Sequence, residues 1–252
     1  MKRDGACVSW FGDGLEVTYR SINYLAMLAV FFGFGKVWLA FCLIFVKRVL
    51  YFGKIHTYMI EQTLVLVKPD GVQRSLIGEI IGRLEKTGLK VVALKMVTPT
   101  KDQADRHYAL TEEWMQMVYS KAKAKYEANN EPFAYPDYKA YGQSIKDGLV
   151  TFLASGPVVA MVLEGEMAVS LTRKIVGATE PASSAPGTIR GDLSFDTYAL
   201  SNTQNRPLRN LIHASGNIEE AKTEAPIWFA AEEICKVNGA LDPVFYDEKR
   251  FK

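Results

Sequence analysis

An α+β sandwich with an antiparallel sheet, built in the order βαββαβ behind a hydrophobic N-terminal extension, is the fold that this 252-residue sequence predicts. Three observations carry it. The run Leu64-Val65-Leu66-Val67 is apolar on both faces, as a central strand covered on both sides must be. Ile77, Ile80, Ile81 and Leu84 recur at i, i+3, i+4 and i+7, which draws one apolar stripe along a helix. Two valine-rich runs, Lys90 to Val97 and Val158 to Glu164, supply further strands on either side of a helical stretch.

The first strand ends in Lys68-Pro69-Asp70-Gly71, where proline and Asp-Gly predict a turn, and the helix that follows is expected to be capped by Ser75 and stopped at Gly88. Lys101 to Phe152 reads as mostly helical. Its polar middle, Lys121 to Lys146, is interrupted by Glu131-Pro132 and Tyr135-Pro136 and is expected to be a solvated surface excursion. Ala168 to Val176 is a helix, and Gly177 to Asp192, rich in proline, glycine and small residues, is an ordered loop. Asn217-Ile218-Glu219-Glu220 is a capping box that opens a helix toward Phe229. Elements in this order form a ferredoxin-like α/β arrangement.

With 48% hydrophobic residues the chain can bury one core of ordinary size. A net charge of +2 gives no basic stripe for nucleic acid, so the lysines at 121, 123 and 125 read as a solvated face. Cys7, Cys42 and Cys235 are far apart and form no CxxC, which speaks against a disulfide framework or a cysteine zinc site and fits a reducing compartment.

Residues 1–58 form the extension, with an almost wholly apolar run over 24–46 that is long enough to cross a bilayer. Lys36 within it costs about 2.5–3.5 kcal/mol on insertion scales. Lys47, Arg48 and Lys54 follow the run, so a spanning helix would leave everything after it in the cytoplasm. A second reading stays open beside this one. Met59 stands immediately before the first clean strand, and an upstream start chosen in error would give the same appearance. The globular domain is read as 59–252 under both.

Among His56, His107 and His213, only His213 sits in a short apolar run with polar residues on either side, Arg209-Asn210-Leu211-Ile212-His213-Ala214-Ser215. A neutral imidazole nitrogen is a usable nucleophile at physiological pH. Ser215 falls on the same face of an extended segment, and the helix start just beyond suits a phosphate. Arg173, Thr179 and Arg190 gather around one loop, and arginine forks with a hydroxyl suit phosphate oxygens.

Lys68-Pro69-Asp70-Gly71-Val72, Thr188-Ile189-Arg190-Gly191-Asp192 and Asn210-Leu211-Ile212-His213-Ala214-Ser215 together resemble the nucleoside diphosphate kinase family in wording and order, over about two thirds of the chain. The resemblance implies a ping-pong exchange in which a nucleoside triphosphate such as ATP gives its γ-phosphoryl group to His213 and a nucleoside diphosphate takes it off. It implies that Glu224 orients the imidazole, with Ser215 supporting Glu224, and that Lys68 and Tyr108 lie near the γ-phosphate. It assigns Arg173, Thr179 and Arg190 to a phosphate clamp and Asn210 to the ribose. Mg²⁺ is expected to ride on the nucleotide without a protein cage, and a homo-oligomer, hexamer or tetramer, is implied.

Two departures stand out. Gly216 replaces the family's usual aspartate, and insertions occupy about 119–147 and 194–207. The first insertion obscures the base-stacking aromatic, for which Trp114 is the candidate and Tyr119 and Phe152 are rivals. The alternative function is a catalytically silent nucleotide-binding module tethered to a membrane through 24–46. Loss of His213 or Lys68 would signal it, and both are present.

Overall fold

The computed structural model describes residues 60–246, all within one unit spanning 58–252. The extension, and with it the expected span over 24–46, lies outside the described residues. Among the described residues no helix is long and apolar enough to cross a membrane.

Four antiparallel strands form the sheet in the order β2-β3-β1-β4, with β1 at Ile60–Val67, β2 at Lys90–Val97, β3 at Val158–Glu166 and β4 at Ile212–Ala214. Strand β1 is central, and Leu64 to Val67 are all fully buried. Its alternating residues point to opposite faces. Val65 and Val67 join one core with Ile80 and Leu84 of helix α2 (Ile77–Glu85) and Val176 of α6 (Ala168–Val176). Leu64 and Leu66 join a second, with Ala104 of α3 (Lys101–His107), Leu153 of α5 (Tyr138–Leu153) and Trp228 of α9 (Ile218–Trp228). Helices on both faces are the reason the strand can be apolar throughout.

Three local expectations are corrected. Lys68-Pro69-Asp70-Gly71 is not a bare turn but the start of a short helix, α1 (Pro69–Gln73), because proline's fixed φ suits a first helical position. Ser75 does not cap α2: it takes a left-handed φ of 57°, the cap residue is Leu76, and no side chain caps the end. The insertion around 119–147 is largely helical. Helix α4 (Glu112–Ala128) packs against α5 as a hairpin, with only the segment around the two prolines irregular. An aromatic cluster closes it, Phe133 lying 5.3 Å from Tyr119, 5.2 Å from Tyr126 and 5.2 Å from Tyr141 between ring centroids.

The loop from Gly177 is ordered by a 3-10 turn (Pro181–Ser183) and by α7 (Ile189–Leu193), capped by Thr188. The second insertion carries α8 (Tyr198–Thr203). Asp196, at 4% exposure, anchors it: Arg206 donates to both carboxylate oxygens at 2.6 and 2.9 Å, and the Arg209 N–H donates at 2.7 Å. The guanidinium and the N–H hold the Asp196 carboxyl below its ordinary pKa. Removing one partner of a buried pair strands the other. Asp196→Ala is therefore expected to cost about 3–5 kcal/mol in urea unfolding and to open 194–207 to proteolysis.

Candidate active site

The site assembles where β1 ends beside β4. Leu66 pairs with His213 and Val67 with Ile212, so Lys68 leaves the sheet next to Leu211, whose carbonyl accepts its N–H at 2.8 Å. The approach to β4 is tightly turned. Leu211 has φ of 68°, and the Ile212 N–H donates across it to the Asn210 carbonyl at 2.8 Å. A non-glycine residue in that region is strained. The Asp70 carboxylate holds it there by accepting the Leu211 N–H at 3.0 Å, while the buried side chain of Leu211 fills the core.

Ile212 and Ala214 face the first core, so His213 faces the other side of the sheet. There α9 brings Glu224 to it, with His213 Nε2 3.1 Å from Glu224 Oε2. Ser215 Oγ donates to the same oxygen at 2.6 Å and accepts the Leu64 N–H at 3.3 Å, which ties the carboxylate to the central strand. Asn217 Oδ1 caps α9 by accepting the Glu220 N–H at 2.8 Å. Glu220 reaches back past Asn217 and accepts the Gly216 N–H at 2.7 Å. Glu220 thus secures the segment that carries Gly216.

A ring N–H donated to Glu224 fixes the proton on Nε2 and leaves the lone pair on Nδ1. If the serine hydroxyl is needed to aim the carboxylate, Ser215→Ala should slow nucleophilic attack by the imidazole about tenfold with little change in ligand affinity. Rapid-quench labelling beside equilibrium binding separates the two.

Lys68 is buried, and its Nζ donates to Asn210 Oδ1 at 2.9 Å. Burial, then the nearby Arg190 guanidinium, pull its pKa down to about 8. Asn210 in turn donates through Nδ2 to the Thr179 carbonyl at 2.9 Å. Arg190 is committed to backbone carbonyls, those of Gly177 and Ala178 through Nη1, Asn210 through Nε and Ile212 through Nη2. It welds the loop to β4, with a single N–H left over for a ligand. Burial followed by Arg173 lowers its pKa to about 10. Arg173 itself is exposed, on the last turn of α6. Two guanidiniums near a buried ammonium make an electropositive place without a paired anion, as a polyphosphate site requires.

Tyr108 is at the end of α3, its buried hydroxyl lacking a hydrogen-bond partner among the described residues. Burial, then the Glu224 charge, push its phenol well above its ordinary pKa. The three candidate stacking aromatics fare differently. Phe152 is buried under the Arg209 guanidinium, 3.9 Å from its ring centroid, and Tyr119 belongs to the hairpin cluster. Trp114 is half-buried in the first turn of α4 and makes no ring contact with the histidines among the described residues.

Sequence reasoning passed over Asp70 and His107. The His107 ring meets His213 edge to face at 4.4 Å between centroids and Trp228 at 5.6 Å, and Trp228 Nε1 donates to its Nδ1 at 3.4 Å. Burial, then His213 and Lys68, hold its pKa well below the ordinary histidine value, so the ring is neutral. Its place immediately before Tyr108 was the available signal.

Fold and site define an enzyme that transfers phosphoryl groups, with an oriented imidazole beside a cationic pocket. The family model for nucleoside diphosphate kinase matches residues 61–130 and 122–234. A nucleoside diphosphate kinase from Pyrobaculum aerophilum is 46% identical over 179 residues, covering 69% of this chain and 98% of that protein. One from Synechocystis is 41% identical over 187 residues, covering 74% and 99%. Among solved structures, an NDP kinase from Pyrobaculum aerophilum superposes with a TM-score of 0.68 at 42% identity, covering 71% of this chain and all of that one. A transition-state mimic of the Borrelia burgdorferi enzyme with bound vanadate and ADP gives 0.61 at 34% identity, covering 73% and 96%. The chain belongs to the nucleoside diphosphate kinase family, and its activity is that of a nucleoside diphosphate kinase.

Proposed function

We propose that the exchange runs in two half-reactions with His213 as the carrier, and that ATP and a nucleoside diphosphate are the substrates. The observation that carries this is the chain Ser215 to Glu224 to His213, which leaves Nδ1 as the free nucleophilic nitrogen. Nδ1 attacks the γ-phosphorus in line, the N–P bond forms as the P–O bond to the β-phosphate breaks, and the nucleoside diphosphate leaves. The Nε2 proton stays on the ring, whose developing positive charge faces the Glu224 carboxylate. A terminal oxygen of the second diphosphate then attacks the phosphorus, and the N–P bond breaks.

Lys68 supplies the charge nearest the γ-phosphate, and Tyr108, with its unsatisfied hydroxyl, supplies a donor beside it. Asn210 positions the ribose, while Arg173, the Thr179 hydroxyl and the remaining Arg190 N–H take phosphate oxygens. Trp114 is the base-stacking side chain in this reading. Mg²⁺, when bound, would supply charge neutralisation to the phosphates. The donor cluster among the described residues is His107, His213 and Glu224, two imidazoles to one carboxylate, which suits Mg²⁺ poorly. The ion is accordingly held by the nucleotide.

The domain is proposed to work in the cytoplasm, where an exposed free thiol such as Cys235 persists, and as a homo-oligomer. Edge strand β2 leaves Leu94 52% and Met96 55% exposed, a row that a second copy would cover. The deciding experiment incubates the protein with γ-labelled ATP and Mg²⁺ without acceptor. An acid-labile, base-stable phosphoprotein that a nucleoside diphosphate discharges is expected. A protein that binds ATP and takes no label would instead fit the silent binding module.

A further inference from the structure

We propose that His107, His213 and Glu224 form a binding site for one transition-metal ion of the zinc type, and that its occupancy withdraws His213 from phosphoryl transfer. One nitrogen from each ring and one carboxylate oxygen lie within 4.8 Å of one another. Glu224 sits between the rings, Oε2 3.1 Å from His213 Nε2 and Oε1 3.9 Å from His107 Nδ1. Two imidazoles and one carboxylate are the donor set of three-ligand zinc sites that keep a fourth position open. Bonds of about 2.0–2.2 Å put tetrahedral donors about 3.3–3.5 Å apart, so a contraction on the order of 1 Å closes the set.

His107 is the donor readiest for the ion. At His107 the bond given up is the 3.4 Å one from the Trp228 indole, and its Nε2 has no partner among the described residues. The cluster is reached from the His213 side. The His107 side chain is fully buried at the back, while that of His213 keeps 18% of its surface exposed on the side where phosphate must approach. Mg²⁺ takes oxygen donors and keeps its waters, so the nucleotide-borne ion and the site-bound ion seek different ligands.

An ion on Nε2 takes the place of the ring N–H that Glu224 accepts, and the neutral imidazole then carries its one proton on Nδ1, so the lone pair that would attack phosphorus is gone. This inhibitory half rests on His213 being the carrier proposed above. Binding itself does not.

Calorimetric titration of the nucleotide-free full chain with zinc chloride tests the site. His107→Phe keeps the ring contacts with His213 and Trp228 but offers no lone pair, and Glu224→Gln removes the anionic donor. Each is expected to weaken the binding of one equivalent at least about tenfold. Affinity equal to wild type in both variants would overturn the site. Should either fail to fold, Co²⁺ added to the wild-type chain is expected to give the visible bands of a low-coordinate imidazole site, discharged by zinc; their absence overturns it equally. With Mg²⁺ in excess, zinc at its binding constant should halve the phosphoprotein formed from γ-labelled ATP. Labelling indifferent to saturating zinc overturns the inhibition. A chain that takes no label even without zinc would count against the carrier role, while the calorimetry still decides the site.

Discussion

His213→Ala is expected to abolish exchange, with turnover lower by at least about 10⁴-fold, while the protein keeps its fold. The loss is that large because no neighbouring group can take over. His107 is the nearest imidazole, but its side chain is fully buried, with Nδ1 directed toward Trp228 and Glu224 and Nε2 closed to solvent, so it offers phosphate no accessible nitrogen. The fold persists because β4 is held by backbone pairing with β1 and by Ile212 and Ala214 in the opposite core, none of which uses the imidazole. Glu224 retains the Ser215 hydroxyl and is not left without a partner. Steady-state exchange beside a thermal melt followed by circular dichroism checks both halves. Near-normal turnover in a folded variant would remove His213 from the mechanism.

The parts of this site that could be read from sequence are those whose chemistry is local. Strand β2 and helix α6 fall at the expected residues because each is a run with one unbroken periodicity. The Asn217 cap was legible because its partner, Glu220, is three residues away. The alignment of Ser215 with His213 followed from the period of a strand, and Glu224 from the family motif. What escaped depends on distant pairings. Nothing local says that Asp70 restrains Leu211, 141 residues on, or that Arg190 spends its fork on carbonyls. The polar middle of the first insertion read as an excursion without helix because two prolines interrupt it. Those prolines only turn the hairpin, and the aromatic residues on either side meet across it. Ser75 misled for a simpler reason, since serine is a good cap only where the backbone is extended, and here it is left-handed.

Lys68→Met should lower turnover by about 10²–10³-fold and shift the pH dependence of stability in the opposite sense to an ordinary lysine pair. The folded chain holds the Lys68 proton only up to about pH 8, against 10.5 for an ordinary lysine. Between those values the unfolded chain binds more protons, so wild-type stability rises with pH. Below pH 8 the folded protein carries the full penalty of a buried charge for which burial and Arg190 outweigh the Asp70 carboxylate, about 3 kcal/mol for a shift of this size. Methionine fills a similar volume and cannot be charged, so the variant lacks that penalty, though Asn210 Oδ1 loses its donor. The stability difference between variant and wild type should therefore move by about 3 kcal/mol in favour of wild type between pH 7 and pH 10.5. Urea unfolding of both proteins at the two pH values measures it, and a difference independent of pH would mean that Lys68 titrates normally. The same depression makes a prediction for the working enzyme. Phosphates arriving beside Lys68 favour its charged form, so above pH 8 nucleotide binding should take up a proton, visible as a dependence of the calorimetric enthalpy on the ionisation heat of the buffer. Lys68→Met should erase that dependence. The lysine would then be a group held against its own solvation, unstable in the empty site and neutralised by the substrate it serves.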